Sequence, residues 1–160
     1  MAKKTMRFKV NDHPVEVTTQ PSRTLLSVLR DDLKYKGAKE ACGQGDCGAC
    51  VVVMNGRAVN SCLVLAGQAD GANVVTVEGL ERNGKLHPLQ SHFIRSWALQ
   101  CGYCTAGMLM AAYALLLENP DPSVDEIRTA IAGNLCRCTG YHEIIEAIKS
   151  TAAELKETVH

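Results

Sequence analysis

Eight cysteines carry the chemistry available to this 160-residue chain, and they fall into two groups of four. Cys42, Cys47, Cys50 and Cys62 read C-x4-C-x2-C with a more distant fourth member, the spacing that holds plant-type [2Fe–2S] clusters. The second group is a C-x-x-C at Cys101 and Cys104, then a C-x-C at Cys136 and Cys138. No cysteine is left over. Two sets of four thiolates suit two one-electron centres, so electron transfer is the leading reading.

A cluster needs its thiolates turned inward, and three of the first group come from one tight loop. Gly43, Gly45 and Gly48 let that loop turn sharply and let backbone N–H groups face the sulfurs, which stabilises the charge added on reduction. Structural zinc is usually held by paired knuckles, which the x4–x2 loop fits poorly. The second group is two short knuckles, and on spacing alone a four-cysteine zinc site stays open there. Its setting argues for a cluster, because each half lies just before an expected helix, where the N-terminal dipole favours thiolate charge.

The elements that must position these loops change character midway. Met6 to Val10 and Val15 to Thr19 alternate in polarity around Asn11-Asp12 and predict a hairpin. A short helix is predicted from Thr24 to Leu33, with Leu25, Leu26, Leu29 and Leu33 on one face. Val51 to Met54, the pair Asn55-Gly56 and a returning strand to Cys62 form a second hairpin, and Asn73 to Val77 is a last β-branched run. Gly79 to Leu86 marks a linker. Beyond it the pattern is helical: Pro88 opens a helix with Leu89, Phe93 and Trp97 in register, and Thr105 caps a second that Asn119-Pro120 stops. Ser123 and Glu126 make a capping box for a third, ended by Gly133. A fourth runs from about Tyr141 with Ile144, Ile145, Ile148 and Leu155 as its stripe.

Composition narrows the partners. Seventeen basic and seventeen acidic residues leave a formal charge of zero, with no global field or basic stripe for nucleic acid. The basic N-terminus is followed by no apolar signal region, and no run is long enough to span a bilayer. A cytoplasmic location is the default, and in that reducing compartment cysteines serve as metal ligands rather than disulfides.

The runs CGQGDCGAC (Cys42 to Cys50), QCGYCTAG (Gln100 to Gly107) and GNLCRCTGY (Gly133 to Tyr141) resemble the small iron–sulfur subunit of the molybdenum hydroxylases, the xanthine oxidase family, in its bacterial three-subunit form. The resemblance covers essentially the whole chain. It implies an α+β protein: a ferredoxin-like β-grasp domain over residues 1–79, then a four-helix bundle over residues 80–160, each with one [2Fe–2S] cluster. It implies that Cys42, Cys47, Cys50 and Cys62 bind the cluster nearer FAD, and Cys101, Cys104, Cys136 and Cys138 the cluster nearer molybdenum. In that family the residues at the positions of Gln100 and Cys138 meet the pterin. The implied partners are a large subunit carrying molybdopterin, as the cytosine dinucleotide, and a medium FAD subunit, assembled for example as a dimer of heterotrimers. Two positions depart from the family pattern: Ala106, where proline is usual, and Ala41, often glycine. Neither removes a ligand.

Other residues carry plainer expectations. His87 and His92 are five apart and read as surface or interface residues, and His142 is not needed as a ligand once eight cysteines are assigned. Met108 and Met110 read as core or subunit contacts, Arg137 as a cation that offsets cluster charge, meets a partner chain or is simply solvated, and Asp121, Asp125 and Glu126 as turn and cap residues. No residue is expected to touch substrate. The competing readings are a free-standing two-cluster ferredoxin, which zero net charge disfavours because mobile carriers rely on a charged docking face, and a colourless zinc-stabilised interaction module.

Overall fold

The computed structural model describes residues 2–158; Met1 and residues 159–160, the outer ends of the two expected domains, lie outside the described residues. Strand β1 (Lys4–Val10) buries Met6, Phe8 and Val10 and exposes the residues between, the period-2 pattern of a sheet with one covered face. It pairs antiparallel with β2 (His13–Thr19) across Asn11 and Asp12, whose φ values of 52° and 67° give the turn that matches strand twist. β3 (Val51–Met54) and β4 (Arg57–Asn60) form the second hairpin, and β5 (Asn73–Val75) lies parallel to β1 and antiparallel to β3. The sheet order is β2-β1-β5-β3-β4. With helices following the sheet, the protein is α+β.

Two strands end sooner than the sequence predicts. β4 stops at Asn60, so Cys62 sits in the following turn and not on the strand. β5 stops at Val75, because Val77–Gly79 winds into a tight helical turn. The helix predicted from Thr24 is one regular turn, α1 (Leu25–Ser27), capped by the Thr24 hydroxyl at 3.1 Å from the Ser27 N–H, and it widens over Val28–Asp32. That widening puts Val28 in the core and leaves Leu33 partly exposed.

The second half holds α2 (Pro88–Arg95), α3 (Thr105–Glu118), α4 (Val124–Ile131) and α5 (His142–Thr158). Leu89 and Phe93 are buried, but Trp97 is 82% exposed. The helix has ended: Trp97 takes a φ of 54°, and the Ala98 N–H bonds back to the Phe93 carbonyl at 2.9 Å, so Ala98 fills the core position. α3 is apolar on every side and correspondingly buried, Met108 and Met110 included. Thr105 is its first helical residue and not its cap; Cys104 occupies the cap position, which places Ala106 second in the helix. The Ser123–Glu126 capping box forms as expected, whereas α4 ends through Ala132 and Gly133 merely follows. Among the described residues no helix is long and apolar enough to cross a membrane.

Two hydrophobic cores meet at β3. Val52 joins Met6, Phe8, Leu25 and Leu29 on one face; Val51 and Val53 join Phe93, Met108, Ile127 and Ile148 on the other. A strand covered on both faces reads as a continuous apolar run, which is why Val51 to Val53 shows no alternation.

Candidate metal centres

The loop before β3 has almost no regular structure, and its shape is set by backbone hydrogen bonds and glycines. Gly43, Gly45 and Gly48 take φ of 68°, 89° and 68°. Asn60 reaches back from β4 to donate to the Gly45 carbonyl at 3.1 Å, and the Ser61 hydroxyl donates to the Cys50 carbonyl at 2.6 Å. Cys50 and Cys62 are buried; Cys42 and Cys47 are partly exposed. The Cys42 thiol is held down to about 6, chiefly by the Gln44 N–H at 3.5 Å from its sulfur and then by Cys47. Burial pushes Cys62 up to about 11, and the Cys50 thiol and the Cys42 charge add to it. Cys42 is thus beside Cys47, and Cys62 beside Cys50 and within electrostatic reach of Cys42.

The second group straddles two elements. Cys104 begins α3, and the loop 132–141 between α4 and α5 brings Cys136 and Cys138 to it. Burial, then the Cys136 thiol, pushes Cys104 up to about 12. Cys138 lies 3.7 Å from Cys101, sulfur to sulfur, and that contact raises it. Burial opposes ionisation of Cys136, but the Thr139 hydroxyl and N–H, at 3.1 and 3.5 Å from its sulfur, outweigh it and leave it lowered. All eight cysteines are unpaired, and 3.7 Å is far beyond the ~2.05 Å of a disulfide.

Neighbouring thiols cannot all ionise cheaply, since Cys62, Cys104 and Cys138 are each raised by a thiol partner, and a cationic cofactor would offset that charge. A two-iron cluster asks two thiolates per iron, four in all, and each group supplies four unpaired thiols. The donor set thus fits [2Fe–2S]. Cys101, Cys138 and Gln100 are exposed, and the Gln100 side-chain amide donates to the Cys138 carbonyl at 3.1 Å, so the second group opens at the surface.

The two loops are docked on each other. The Leu135 N–H donates to the Cys47 carbonyl at 2.9 Å, and the buried Asn134 amide donates to the Gly48 carbonyl at 2.9 Å. Tyr103 donates to the Glu40 carbonyl at 2.6 Å. Gly48 and Gly107 are required here by close approach: a Cβ on Gly107 would stand 2.1 Å from the Gly48 oxygen.

Residues 8–75 match the 2Fe-2S iron-sulfur cluster binding domain family and residues 76–149 the [2Fe-2S] binding domain family. The nicotinate dehydrogenase small FeS subunit of Eubacterium barkeri is 46% identical, covering 93% of this chain and 95% of that one. The nicotine 6-hydroxylase small subunit of Paenarthrobacter nicotinovorans is 48% identical, over 92% of this chain and 88% of that one. The crystal structure of quinoline 2-oxidoreductase from Pseudomonas putida 86 superposes with a TM-score of 0.93 at 44% identity, over 99% of this chain and 98% of that one. The chain belongs to the small [2Fe–2S] subunits of the xanthine oxidase family. As such it is the electron-transfer component of an oxidoreductase complex, with two [2Fe–2S] clusters as its cofactors. Within this family the fold also occurs inside a longer polypeptide: it covers 98% of this chain but 17% of the matched aldehyde oxidoreductase chain of Desulfovibrio desulfuricans, at 39% identity and a TM-score of 0.91.

The remaining side chains sort as follows. His87 is half-buried at the start of α2, where its Nδ1 accepts the Leu89 N–H at 3.1 Å and its ring meets Tyr113 edge-on. His92 lies between α2 and α5, 2.8 Å from Glu154. His142 and Arg137 are exposed. Asp121 pairs with Lys156 and Asp125 with Arg128. Asn60, Asn134, Thr139 and Tyr141 hold the loops and were not marked by residue type; the last three stand inside GNLCRCTGY, whose repetition of polar residues around the cysteines is the available signal.

Proposed function

We propose that Cys42, Cys47, Cys50 and Cys62 hold one [2Fe–2S] cluster and that Cys101, Cys104, Cys136 and Cys138 hold the other. On this reading the chain relays single electrons from a molybdopterin centre in a partner chain towards FAD or an external acceptor. When bound, each cluster gains and loses one electron at a time. The chain's own part is positional. Gly43, Gly45 and Gly48 shape the first loop, and Gln100 and Cys138 present the pterin contact at the exposed edge. The observation that carries the reading is the docking of the two loops, with Leu135, next to Cys136, bonded to the carbonyl of Cys47.

The finer architecture belongs to the same proposal: a β-grasp domain over residues 1–79 and a four-helix bundle over residues 80–160. So does the assembly, comprising a large subunit with molybdopterin cytosine dinucleotide and a medium FAD subunit in a cytoplasmic dimer of heterotrimers. The partner's pocket selects the substrate, in keeping with relatives named for nicotinate and nicotine and a neighbour named for quinoline. The test is the molybdenum-to-iron ratio of the native protein purified with whatever co-elutes. About one molybdenum to four irons, two per cluster, together with a much larger chain is expected. Iron without molybdenum on a lone, reducible chain would overturn the reading in favour of a free ferredoxin.

A further inference from the structure

The loop that carries Cys136 and Cys138 contains a bulky residue in a conformation that bulky residues avoid. Tyr141 takes a φ of 71°, directly after Gly140 at 69°. Left-handed backbone is unfavourable for an L-residue, and glycine or asparagine would avoid most of that strain. Tyrosine at such a position points to a constraint on the side chain. Its hydroxyl accepts the Cys136 N–H at 2.8 Å and donates to the Asn134 carbonyl at 3.2 Å. The strained turn is what brings the ring back over its own loop.

Tyr141 also acts through its backbone. Its N–H donates to the Thr139 hydroxyl oxygen at 3.3 Å, and that hydroxyl lies 3.1 Å from the Cys136 sulfur. With Cys136 ligating as a thiolate, the sulfur has no proton to give, so the hydroxyl proton points at the sulfur while its oxygen accepts from Tyr141. The Thr139 N–H adds a second donor at 3.5 Å. Cys136 thus receives two donors at its sulfur, while its own N–H is held away by the tyrosine. A ligand sulfur that accepts hydrogen bonds stabilises the more negative, reduced cluster.

We propose that Thr139 and Tyr141 are positioning residues that raise the reduction potential of the centre held by Cys136, by keeping two hydrogen-bond donors on its sulfur. This rests on the reading that Cys136 is a cluster ligand. It goes beyond that reading by assigning a tuning role to residues that bind no metal.

The experiment is an EPR-monitored redox titration of the native complex, in which the two reduced clusters are followed as separate signals. Thr139→Val removes the hydroxyl donor and keeps the shape; Thr139→Ser keeps the donor. Thr139→Val is expected to lower one midpoint by about threefold or more in the equilibrium constant, ~28 mV at about 59 mV per tenfold for one electron. Thr139→Ser should restore it, and the other signal should not move. Tyr141→Phe should lower the same midpoint, and combined with Thr139→Val should give less than the sum of the two. Unchanged midpoints in Thr139→Val with both signals present, or equal shifts of both signals, would overturn the proposal. The ligand reading fails differently: Cys136→Ser would then leave both signals and about four irons per chain intact. If Tyr141→Phe does not assemble, the Thr139 pair decides alone.

Discussion

Replacing Gly107 with alanine should loosen the contact between the two cysteine loops. The new Cβ would stand 2.1 Å from the Gly48 carbonyl oxygen and 3.1 Å from the Asn134 amide, whereas ordinary contact begins at 3.4 Å. The nearest atom is backbone, so the loops must part by more than an ångström. Overpacking of this kind costs ~1–3 kcal/mol. Parting also breaks the 2.9 Å bond from Asn134, a residue only 4% exposed. Stranding that amide costs a further ~1–3 kcal/mol. Alanine returns at most ~1 kcal/mol of helix propensity at this position. The net loss is ~1–5 kcal/mol, or about 2–20 °C in thermal midpoint for a chain of this size. The assay is the loss of cluster absorbance on heating, with all variants compared at one scan rate because cluster loss is irreversible. Gly133→Ala is the control, since a Cβ there meets nothing within 4 Å. If Gly107→Ala melts with Gly133→Ala, the close approach does not hold the loops together.

Three further outcomes follow from the same geometry. His87 must be neutral for its Nδ1 to accept the Leu89 N–H, and burial, then Arg82, depresses its pKa from 6.5. A depressed base contributes stability that is complete above its ordinary value and lost as pH falls through the folded one, so thermal midpoints measured from about pH 7.5 to 5 should drop more in wild type than in His87→Asn. Ser123→Ala removes the hydroxyl that caps α4 at 3.3 Å from the Glu126 N–H and should cost ~1 kcal/mol in thermal or denaturant unfolding; a wild-type midpoint would refute the cap. Cys50→Ser and Cys104→Ser should each reduce iron from about four to about two per chain and remove a different EPR signal, and loss of the same signal by both would refute the grouping.

Much of the site was legible because cysteine spacing is a local property: the loop Cys42 to Cys50 and the C-x-x-C report their geometry within a few residues. Hairpins were equally plain, since Asn11-Asp12 and Asn55-Gly56 combine turn residues with flanking β-branched runs. What escaped depends on contacts far along the chain. Trp97 sits in phase with Leu89 and Phe93, and only its own left-handed turn after Ser96 directs it outward. His87 is a rare capping residue, and its role depends on Tyr113, which belongs to another helix. Asn134 and Tyr141 lie within a recognisable motif, yet periodicity says nothing about a left-handed tyrosine or a bond to Gly48, 86 residues earlier.

The two centres lie together because one strand is anchored to two cores. Cys50 immediately precedes β3, and the Val51 N–H bonds to the Gly48 carbonyl at 3.1 Å, so the first loop hangs from the start of that strand. Val52 fixes the strand to the sheet core, while Val51 and Val53 fix it to the helices, each buried valine contributing ~1.5–3 kcal/mol. α3 packs on that second face, and its first turn carries Cys104 and Gly107 to the same end of β3. The valines therefore set the register of α3 against the strand, and the glycines at 48 and 107 set how closely the loops at its end approach. Separation between the cysteine groups is a packing quantity, decided by residues that carry no redox chemistry.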